Sequence, residues 1–148
     1  MAAKHGLWLE DLTVGRFAER VHTVTDGDLH AFAELSGDTN PLHLDEAFAE
    51  TTPFKGRVAH GMLSGAYISA VLGTELPGPG AIYVLQTLEF KRPVRIGDAI
   101  TTRVEITAID QARGRVTLRT GCQVAGRHVV EGEAVVLVAR RDGVERPA

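Results

Sequence analysis

Residues 61–75 read GMLSGAYISAVLGTE and form the most informative stretch of the chain. Apolar side chains occupy so many helical positions here that they cover most of the circumference, which predicts a helix wrapped by protein on nearly all sides. Small residues such as Gly65 and Ala66 keep this helix thin enough for close packing. Its length would be roughly 22 Å at the standard rise, which matches the roughly 23 Å of a seven-residue strand. We therefore expect the helix to lie along one sheet.

The segments that would supply this sheet follow residues 78–80, where the chain changes character. Four of them alternate apolar and polar residues, as half-buried strands do, and they cover 82–90, 100–108, 116–124 and 128–139. In the first segment one face would carry Ile82, Val84, Gln86, Leu88 and Phe90. An earlier strand is predicted over 17–24. An antiparallel sheet packed on one apolar helix is an α+β fold.

The region before residue 80 has helical patterns with clear ends. Thr25 suits the cap of a helix, and Asp28 stands at the third helical position, where its charge favours the helix dipole. Gly37 suits the C-terminal cap of the same helix. Pro41 cannot continue it, because proline lacks the amide donor. Asp45 would then cap a short second helix.

The composition indicates one globular domain over residues 1–148, with a mass of 15.9 kDa. Hydrophobic residues make up 44% and charged residues 24%, close to the average for soluble proteins. The net charge of -3 excludes a global basic surface for nucleic acid. Aromatic residues make up only 5%, which argues against a surface on which bases or sugars stack.

The single cysteine, Cys122, cannot form an internal disulfide and indicates a reducing compartment. The first residues lack the apolar core of a targeting signal. No stretch approaches the ~18 consecutive apolar residues of a membrane span. We therefore expect a cytoplasmic protein with no membrane partner.

Asp38 and His43 are the first candidates for chemistry. They lie five residues apart in the sequence, and on a continuous helix they would not meet. The turn forced by Gly37 and Pro41 could bring the carboxylate and the imidazole toward one point, where they would bind a water and share its protons. The alternative is that Asp38 caps a turn and His43 is an ordinary surface residue.

Gly61 is the second candidate, since it opens the buried helix after His60. The first amides of a helix are unpaired and carry partial positive charge. A residue without a side chain would let a substrate carbonyl approach such an amide, as in an oxyanion hole. The alternative is a tight turn before a packed helix.

Other motifs predict less. Ser64 stands one position away from where a nucleophile elbow needs it. The six histidines show no metal-ligand spacing, so no metal is expected. Lys91, Arg92 and Arg95 form a local basic run, which is either a solvated strand end or a contact for the phosphates of a cofactor tail.

Three stretches resemble one family. The stretch 36–43, SGDTNPLH, followed by Asp45, resembles the hydratase 2 motif of MaoC-like (R)-specific enoyl-CoA hydratases. The stretch 58–63, VAHGML, is similar to the start of that family's central helix, and 90–94, FKRPV, to its strand-and-turn motif. The resemblance covers about residues 10–139. It is strongest for the short, single-domain type that supplies precursors for polyhydroxyalkanoate synthesis.

The resemblance implies a hot-dog fold, a homodimer with CoA near its interface, and no cofactor, since CoA is part of the substrate. It places the catalytic aspartate and histidine at Asp38 and His43, and the oxyanion amide at Gly61. Supporting residues fall on Asn40 and Ser36. The acyl pocket falls on Ser69, Leu72 and Met62, and the CoA phosphates near Lys91, Arg92 and Arg95.

The implied reaction is (R)-specific hydration of a trans-2-enoyl-CoA to (R)-3-hydroxyacyl-CoA, or its reversal. A hot-dog thioesterase is disfavoured, because such enzymes often carry a carboxylate on the central helix and residues 61–74 contain none. A dehydratase acting on carrier-protein thioesters and a non-catalytic acyl-CoA-binding module both stay open. The fold alone does not distinguish them.

Overall fold

A six-stranded antiparallel sheet packs against one long helix in the computed structural model, which describes residues 4–143. The strands are β1 (Phe17–Thr23), β2 (Ile82–Gln86), β3 (Glu89–Phe90), β4 (Ala99–Asp110), β5 (Arg115–Val124) and β6 (Arg127–Leu137). The helices are α1 (Asp26–Ser36), α2 (Pro41–Leu44), α3 (Glu46–Glu50) and α4 (Gly61–Thr74), preceded by a 3-10 turn over Leu9–Asp11. The strand order is β1-β4-β5-β6-β2, and β3 also pairs with β6. The predicted α+β class is confirmed.

The core lies between α4 and the inner face of β4, β5 and β6. Residues of α4 that face the sheet are almost fully buried, among them Ile68, Val71 and Leu72. The sheet meets them with alternate residues, which include Ile100, Val104, Ile106, Val116, Leu118, Cys122, Ala134 and Val136. The period-two pattern of the sequence therefore reported the buried face of these strands correctly.

Helix α1 has the predicted ends. The Asp28 N–H donates to the Thr25 hydroxyl at 3.1 Å and the Thr25 N–H donates to the Asp28 carboxylate at 2.9 Å, so both amides are satisfied by a capping box. At the other end Gly37 has a φ of +79° and its N–H donates to the Ala33 carbonyl at 2.9 Å. Glycine adopts this left-handed geometry without strain. The chain leaves α1 sharply there, which places the next residues over the start of α4.

One face of α4 differs from the prediction, since its own chain leaves that face open. Met62 is 55% exposed, and the exposed positions repeat at helical spacing along Met62, Ala66, Ser69 and Gly73. The sequence has apolar residues around most of the circumference, but the sheet covers only one side. The expectation of a helix wrapped on nearly all sides is wrong for the single chain.

The segment 82–90 also differs, because it forms two short strands rather than one. The register with β6 shifts between Tyr83 and Leu85, and pairing stops after Gln86 before it resumes at Glu89. The Thr87 carbonyl comes so close to Gly132 that a Cβ there would lie 1.8 Å from it. This close approach interrupts the ladder and ends the alternation. The predicted single apolar face over 82–90 is therefore wrong.

Candidate active site

Asp38 is held in the turn that follows α1. Its N–H donates to the Ser36 hydroxyl at 3.1 Å, and its Oδ1 accepts the Asn40 N–H at 3.2 Å. The Asn40 side chain in turn accepts the Leu42 N–H at 3.0 Å and caps α2. Ser36 and Asn40, predicted as supporting residues, therefore fix the backbone around Asp38. The Asp38 residue is exposed, so its carboxylate is accessible from solvent.

His43 lies on α2 and is 8% exposed. Its Nδ1 lies 2.7 Å from the Val58 carbonyl oxygen, and because a carbonyl only accepts, Nδ1 carries the hydrogen. In the neutral ring the lone pair is then on Nε2, which can accept a proton. The reading of His43 as an ordinary surface residue is wrong. The Arg57 side chain adds a further contact, donating to the His43 carbonyl at 2.7 Å.

His60 completes the group, and the sequence reasoning gave it no role beyond opening α4. It is 2% exposed, its Nε2 donates to the Asp38 carbonyl at 3.0 Å, and its ring stacks on His43 with 3.9 Å between centroids. The Phe32 ring contacts it from another side at 4.9 Å. The only advance signal was its place in the stretch 58–63. Its contacts to Asp38 and His43 are long-range and could not be inferred from spacing.

Asp38, His43 and His60 each contribute a ligand atom, and these atoms lie within 4.8 Å of one another. Within residues 4–143 no direct hydrogen bond joins the Asp38 carboxylate to the His43 ring. A water placed about 2.8 Å from each partner bridges any gap up to roughly 5.6 Å. The turn thus brings acid and base together at a separation suited to one shared water.

The same three groups also form the kind of cluster that can hold a metal ion. Each ring uses one nitrogen on a carbonyl, which leaves one further nitrogen on each ring. The expectation of no metal rested on the spacing of the histidines, whereas the fold brings these two together from separate segments.

Gly61 begins α4 beside this cluster. Its N–H has no hydrogen-bond partner among residues 4–143, as expected for the first turn of a helix. A Cβ at this position would lie 2.8 Å from the Phe90 ring. Glycine is thus required for packing against Phe90, and it also leaves the amide uncovered. The oxyanion role of Gly61 therefore stays a prediction, with an uncovered amide in the position that it needs.

A cavity of about 320 Å³ lies against these residues. It is lined by His43, His60 and Gly61 on one side and by residues of the 90–94 segment on the other. Ser64 also lines it, but no histidine lies within hydrogen-bond reach of its hydroxyl in the described chain. The first acidic residue after α4, Glu75, pairs with Arg20 at 2.6 Å. Neither a nucleophilic serine nor a carboxylate on α4 is therefore in place for thioester hydrolysis.

The three predicted cations sit differently around this cavity. Lys91 lines it but pairs with Glu89 and Glu131, each at 3.2 Å, and these carboxylates raise the pKa of its ammonium. Arg92 also lines it and donates to the His128 carbonyl at 2.7 Å, which leaves further guanidinium donors. Arg95 does not line the cavity and donates to the Phe54 carbonyl instead.

The three predicted acyl-pocket residues also lie in two different places. A second, open cavity of about 380 Å³ runs along the exposed face of α4, and we refer to it as the α4 groove. Its lining residues are Phe32, Met62, Gly65, Ala66, Ser69, Tyr83, Gln86 and Leu88. Met62 and Ser69 are thus brought together. Leu72 is 2% exposed, faces the sheet and belongs to the core instead.

The segment 57–61 links the parts of the site. It supplies the Val58 carbonyl to His43, the Arg57 donor to the His43 carbonyl, the His60 donor to Asp38 and the free Gly61 amide. Arg57 also forms an ion pair with Asp26 at 2.7 Å, and its hydrogen bond holds the pKa of that carboxyl below its usual value. Residues 57 and 58 were missed because they act through backbone contacts.

None of the helices described between residues 4 and 143 is long and apolar enough to cross a membrane.

The chain is 54% identical over 134 residues to the (R)-specific enoyl-CoA hydratase of Rhodospirillum rubrum, covering 90% of this chain and 93% of that protein.

Two solved structures are also similar. One is the unliganded R-hydratase PhaJ1 from Pseudomonas aeruginosa, with a TM-score of 0.87 and 44% identity, over 97% of this chain and 95% of the other. The other is the (R)-hydratase from A. caviae involved in PHA biosynthesis, with a TM-score of 0.85 and 45% identity, over 87% and 98%. They confirm the predicted hot-dog fold.

The family model described as "MaoC like domain" matches residues 14–127. That range contains the Asp38 turn, the start of α4 and most of the sheet. The match agrees with the three stretches singled out in the sequence. The chain belongs to the MaoC-like family.

Proposed function

We propose that Asp38, His43 and the Gly61 amide carry out the (R)-specific hydration of a trans-2-enoyl-CoA by this chain, giving (R)-3-hydroxyacyl-CoA. The observation behind the site assignment is that His43, with a free Nε2, and the uncovered Gly61 amide line one cavity, while the Asp38 carboxylate lies next to His43 outside the cavity lining. The similarity to the Rhodospirillum hydratase, at 54% identity, supports the reaction and its stereochemistry.

The proposed reaction adds one water across one double bond. The thioester carbonyl accepts a hydrogen bond from the Gly61 amide, which stabilises the negative charge that develops on its oxygen. The oxygen of the bridging water forms a bond to the β-carbon while Asp38 and His43 remove one of its protons. The pair returns a proton to the α-carbon as the thioester carbonyl re-forms. The reverse sequence is dehydration.

Hydration transfers no electrons, so it requires no redox cofactor. We propose that the Asp38–His43 pair activates the water without a metal, because a carboxylate and an imidazole can themselves move its protons. CoA enters as part of the substrate. Activity should therefore survive dialysis against a chelator, and loss of activity that is restored by a divalent cation would contradict the proposal.

For the CoA phosphates, Arg92 is the best supported of the three predicted cations. It lines the cavity and keeps free donors, whereas Lys91 is already neutralised by Glu89 and Glu131. The acyl chain would then pass the Gly61 amide and enter the α4 groove, past Met62 and Ser69. The mainly apolar lining of the groove suits an aliphatic chain.

We also propose that the chain works as a homodimer. Strand β2 is at the sheet edge, and its apolar side chains are 40–47% exposed at Ile82, Tyr83, Val84 and Leu85. The open face of α4 lies beside them, joined through the α4 groove. Monomeric proteins rarely expose contiguous apolar surface of this kind. A second copy placed on this edge would extend the sheet and cover the groove. Sedimentation should give a mass of about twice 15.9 kDa.

Crotonyl-CoA hydration, followed as loss of the enoyl absorbance, tests the activity, and chiral analysis of the product tests the stereochemistry. We expect turnover and the R alcohol. The same acyl groups on carrier protein provide the matched comparison for the dehydratase alternative. Preferred turnover of the carrier-protein thioester would replace CoA as the substrate carrier, and no turnover at any chain length would favour a binding module.

A further inference from the structure

His60 makes more contacts to the proposed catalytic pair than its position outside the hydratase 2 stretch suggests. Its Nε2 donates to the backbone carbonyl of Asp38 at 3.0 Å, and its ring stacks on His43 at 3.9 Å. It immediately precedes Gly61, the residue with the uncovered amide. The His60 side chain therefore contacts the backbone of Asp38 and the ring of His43, and the residue itself directly precedes the helix that would bind the thioester carbonyl.

The contacts of His60 fix the orientation of its ring. Nε2 carries a hydrogen, because the Asp38 carbonyl only accepts. Nδ1 is buried and has no hydrogen-bond partner within residues 4–143. The hydrogen bond that the ring makes is therefore directed at Asp38.

The position of Asp38 depends on this donor. The Ser36 hydroxyl holds its N–H and the Asn40 N–H holds its Oδ1, but both partners belong to the same turn. Among the hydrogen bonds of Asp38 within residues 4–143, only the one from His60 comes from the segment that leads into α4. The other bonds between that segment and the turn are made at His43, so without the His60 donor Asp38 could shift relative to the Gly61 amide. A displacement of about 1 Å at a reacting group can cost roughly 100-fold in rate.

We propose that His60 is a positioning residue that sets the distance between the Asp38–His43 pair and the Gly61 amide. It acts through its hydrogen bond to the Asp38 backbone and its stack on His43, and it exchanges no proton with the substrate. The inference rests on the proposed roles of Asp38, His43 and Gly61.

Three substitutions separate positioning from packing. His60→Gln keeps an N–H donor at about the reach of Nε2, His60→Asn is polar but too short, and His60→Leu keeps volume without a donor. We expect His60→Gln to keep kcat within about threefold of the native enzyme. His60→Asn and His60→Leu should each lower kcat roughly 10- to 100-fold, with KM changed less than about threefold.

Stability provides the second readout. His60→Leu removes the unpaired Nδ1, and this offsets part of the cost of losing the hydrogen bond to the Asp38 carbonyl, which lies on an exposed residue. Its Tm should stay within about 5 °C of the native value. Native kcat in His60→Leu, or equal losses of kcat in His60→Gln and His60→Leu, would overturn the proposal. If His60→Leu does not fold, the Gln and Asn pair decides in the same way.

Asp38→Asn and His43→Gln, assayed in parallel, separate this inference from the proposed function. If these two variants lose activity while His60→Leu does not, only the role of His60 fails. If they keep native activity, the assignment of the pair fails and the inference falls with it.

Discussion

The two ends of the bound substrate would meet very different regions along α4. At its N-terminus, Asp38, His43 and His60 are held by hydrogen bonds within and between two segments, residues 36–43 and 57–61, and both histidines are buried. Along its open face, the α4 groove is lined mainly by apolar side chains such as Met62, Ala66 and Leu88, and the hydrogen bonds of Tyr83 and Gln86 lie on its strand side. Hydrogen bonds need fixed geometry, whereas apolar contact is non-directional.

This difference suggests separate functions for the two regions. The polar end would set the chemistry, because proton transfer depends on distances of tenths of an ångström. The groove would set which acyl chains bind, because its shape depends only on the volumes that line it. Substitutions at the polar end should therefore lower kcat, whereas substitutions in the groove should change how kcat/KM depends on the acyl chain. Four tests follow in order of decreasing effect.

The largest loss is expected at the polar end. Asp38→Asn and His43→Gln should each lower kcat for crotonyl-CoA hydration by roughly 10²–10⁴-fold, the typical contribution of a general acid or base. Both changes keep the size of the side chain, so circular dichroism and Tm should be close to native. Near-native hydration in either variant would remove that residue from the mechanism.

A substitution in the α4 groove should change the preference for acyl chain length rather than the rate of the chemical step. Ser69→Phe would fill the space beside Met62, and we expect kcat/KM for an eight-carbon enoyl-CoA to fall roughly tenfold or more while that for crotonyl-CoA changes little. Ser69→Ala is the matched control and should leave both values nearly unchanged. Equal losses on short and long substrates would mean that the groove does not hold the acyl chain. Sedimentation of Ser69→Phe checks that assembly is intact.

A smaller effect is expected at the cavity rim. Arg92→Ala should raise KM for the CoA thioester roughly two- to fivefold, since an exposed ion pair contributes about 0.2–1 kcal/mol. Arg95→Ala removes a cation of the same kind that does not line the cavity, so KM should stay within about twofold. The difference should shrink as salt is raised. A larger effect for Arg95 would reverse the assignment.

The smallest effect concerns the core between the two regions. Cys122 is fully buried, and burial raises the pKa of its thiol, so less thiolate is present near pH 8 than in a free cysteine. A thiol reagent should therefore label the folded chain slowly and the denatured chain at once. The native labelling rate should keep rising with pH beyond the range of an ordinary thiol. Rapid labelling of the folded protein at pH 8 would show that the core opens readily.

Much of the fold could be predicted because local rules and tertiary structure agree. The cap at Thr25, the glycine at the end of α1 and the alternation over β4 and β5 all report backbone geometry that neighbouring residues determine. The break in 82–90 could not be predicted, because it depends on the approach of Thr87 to Gly132, far away in the sequence.

The site divides in the same way. Gly37 and Pro41 predict the turn between Asp38 and His43, and in the structure this turn brings the two residues together. His60 was missed because its partner is a backbone carbonyl 22 residues away. Leu72 was assigned to the acyl pocket from the resemblance, but the rotation of α4 against the sheet directs it into the core of the single chain. Only packing determines that rotation.

The support of His43 has a consequence for how this chain tolerates mutation. The Val58 carbonyl orients the His43 ring, and the Arg57 side chain donates to the His43 carbonyl. A main-chain carbonyl is present whatever residue occupies the position. Substitution of Val58 by another apolar residue should therefore keep the hydrogen bond that sets the tautomer of His43. The orientation of His43, the proposed base, should therefore tolerate most substitutions at position 58, whereas substitutions of side chains that bond across segments should matter more.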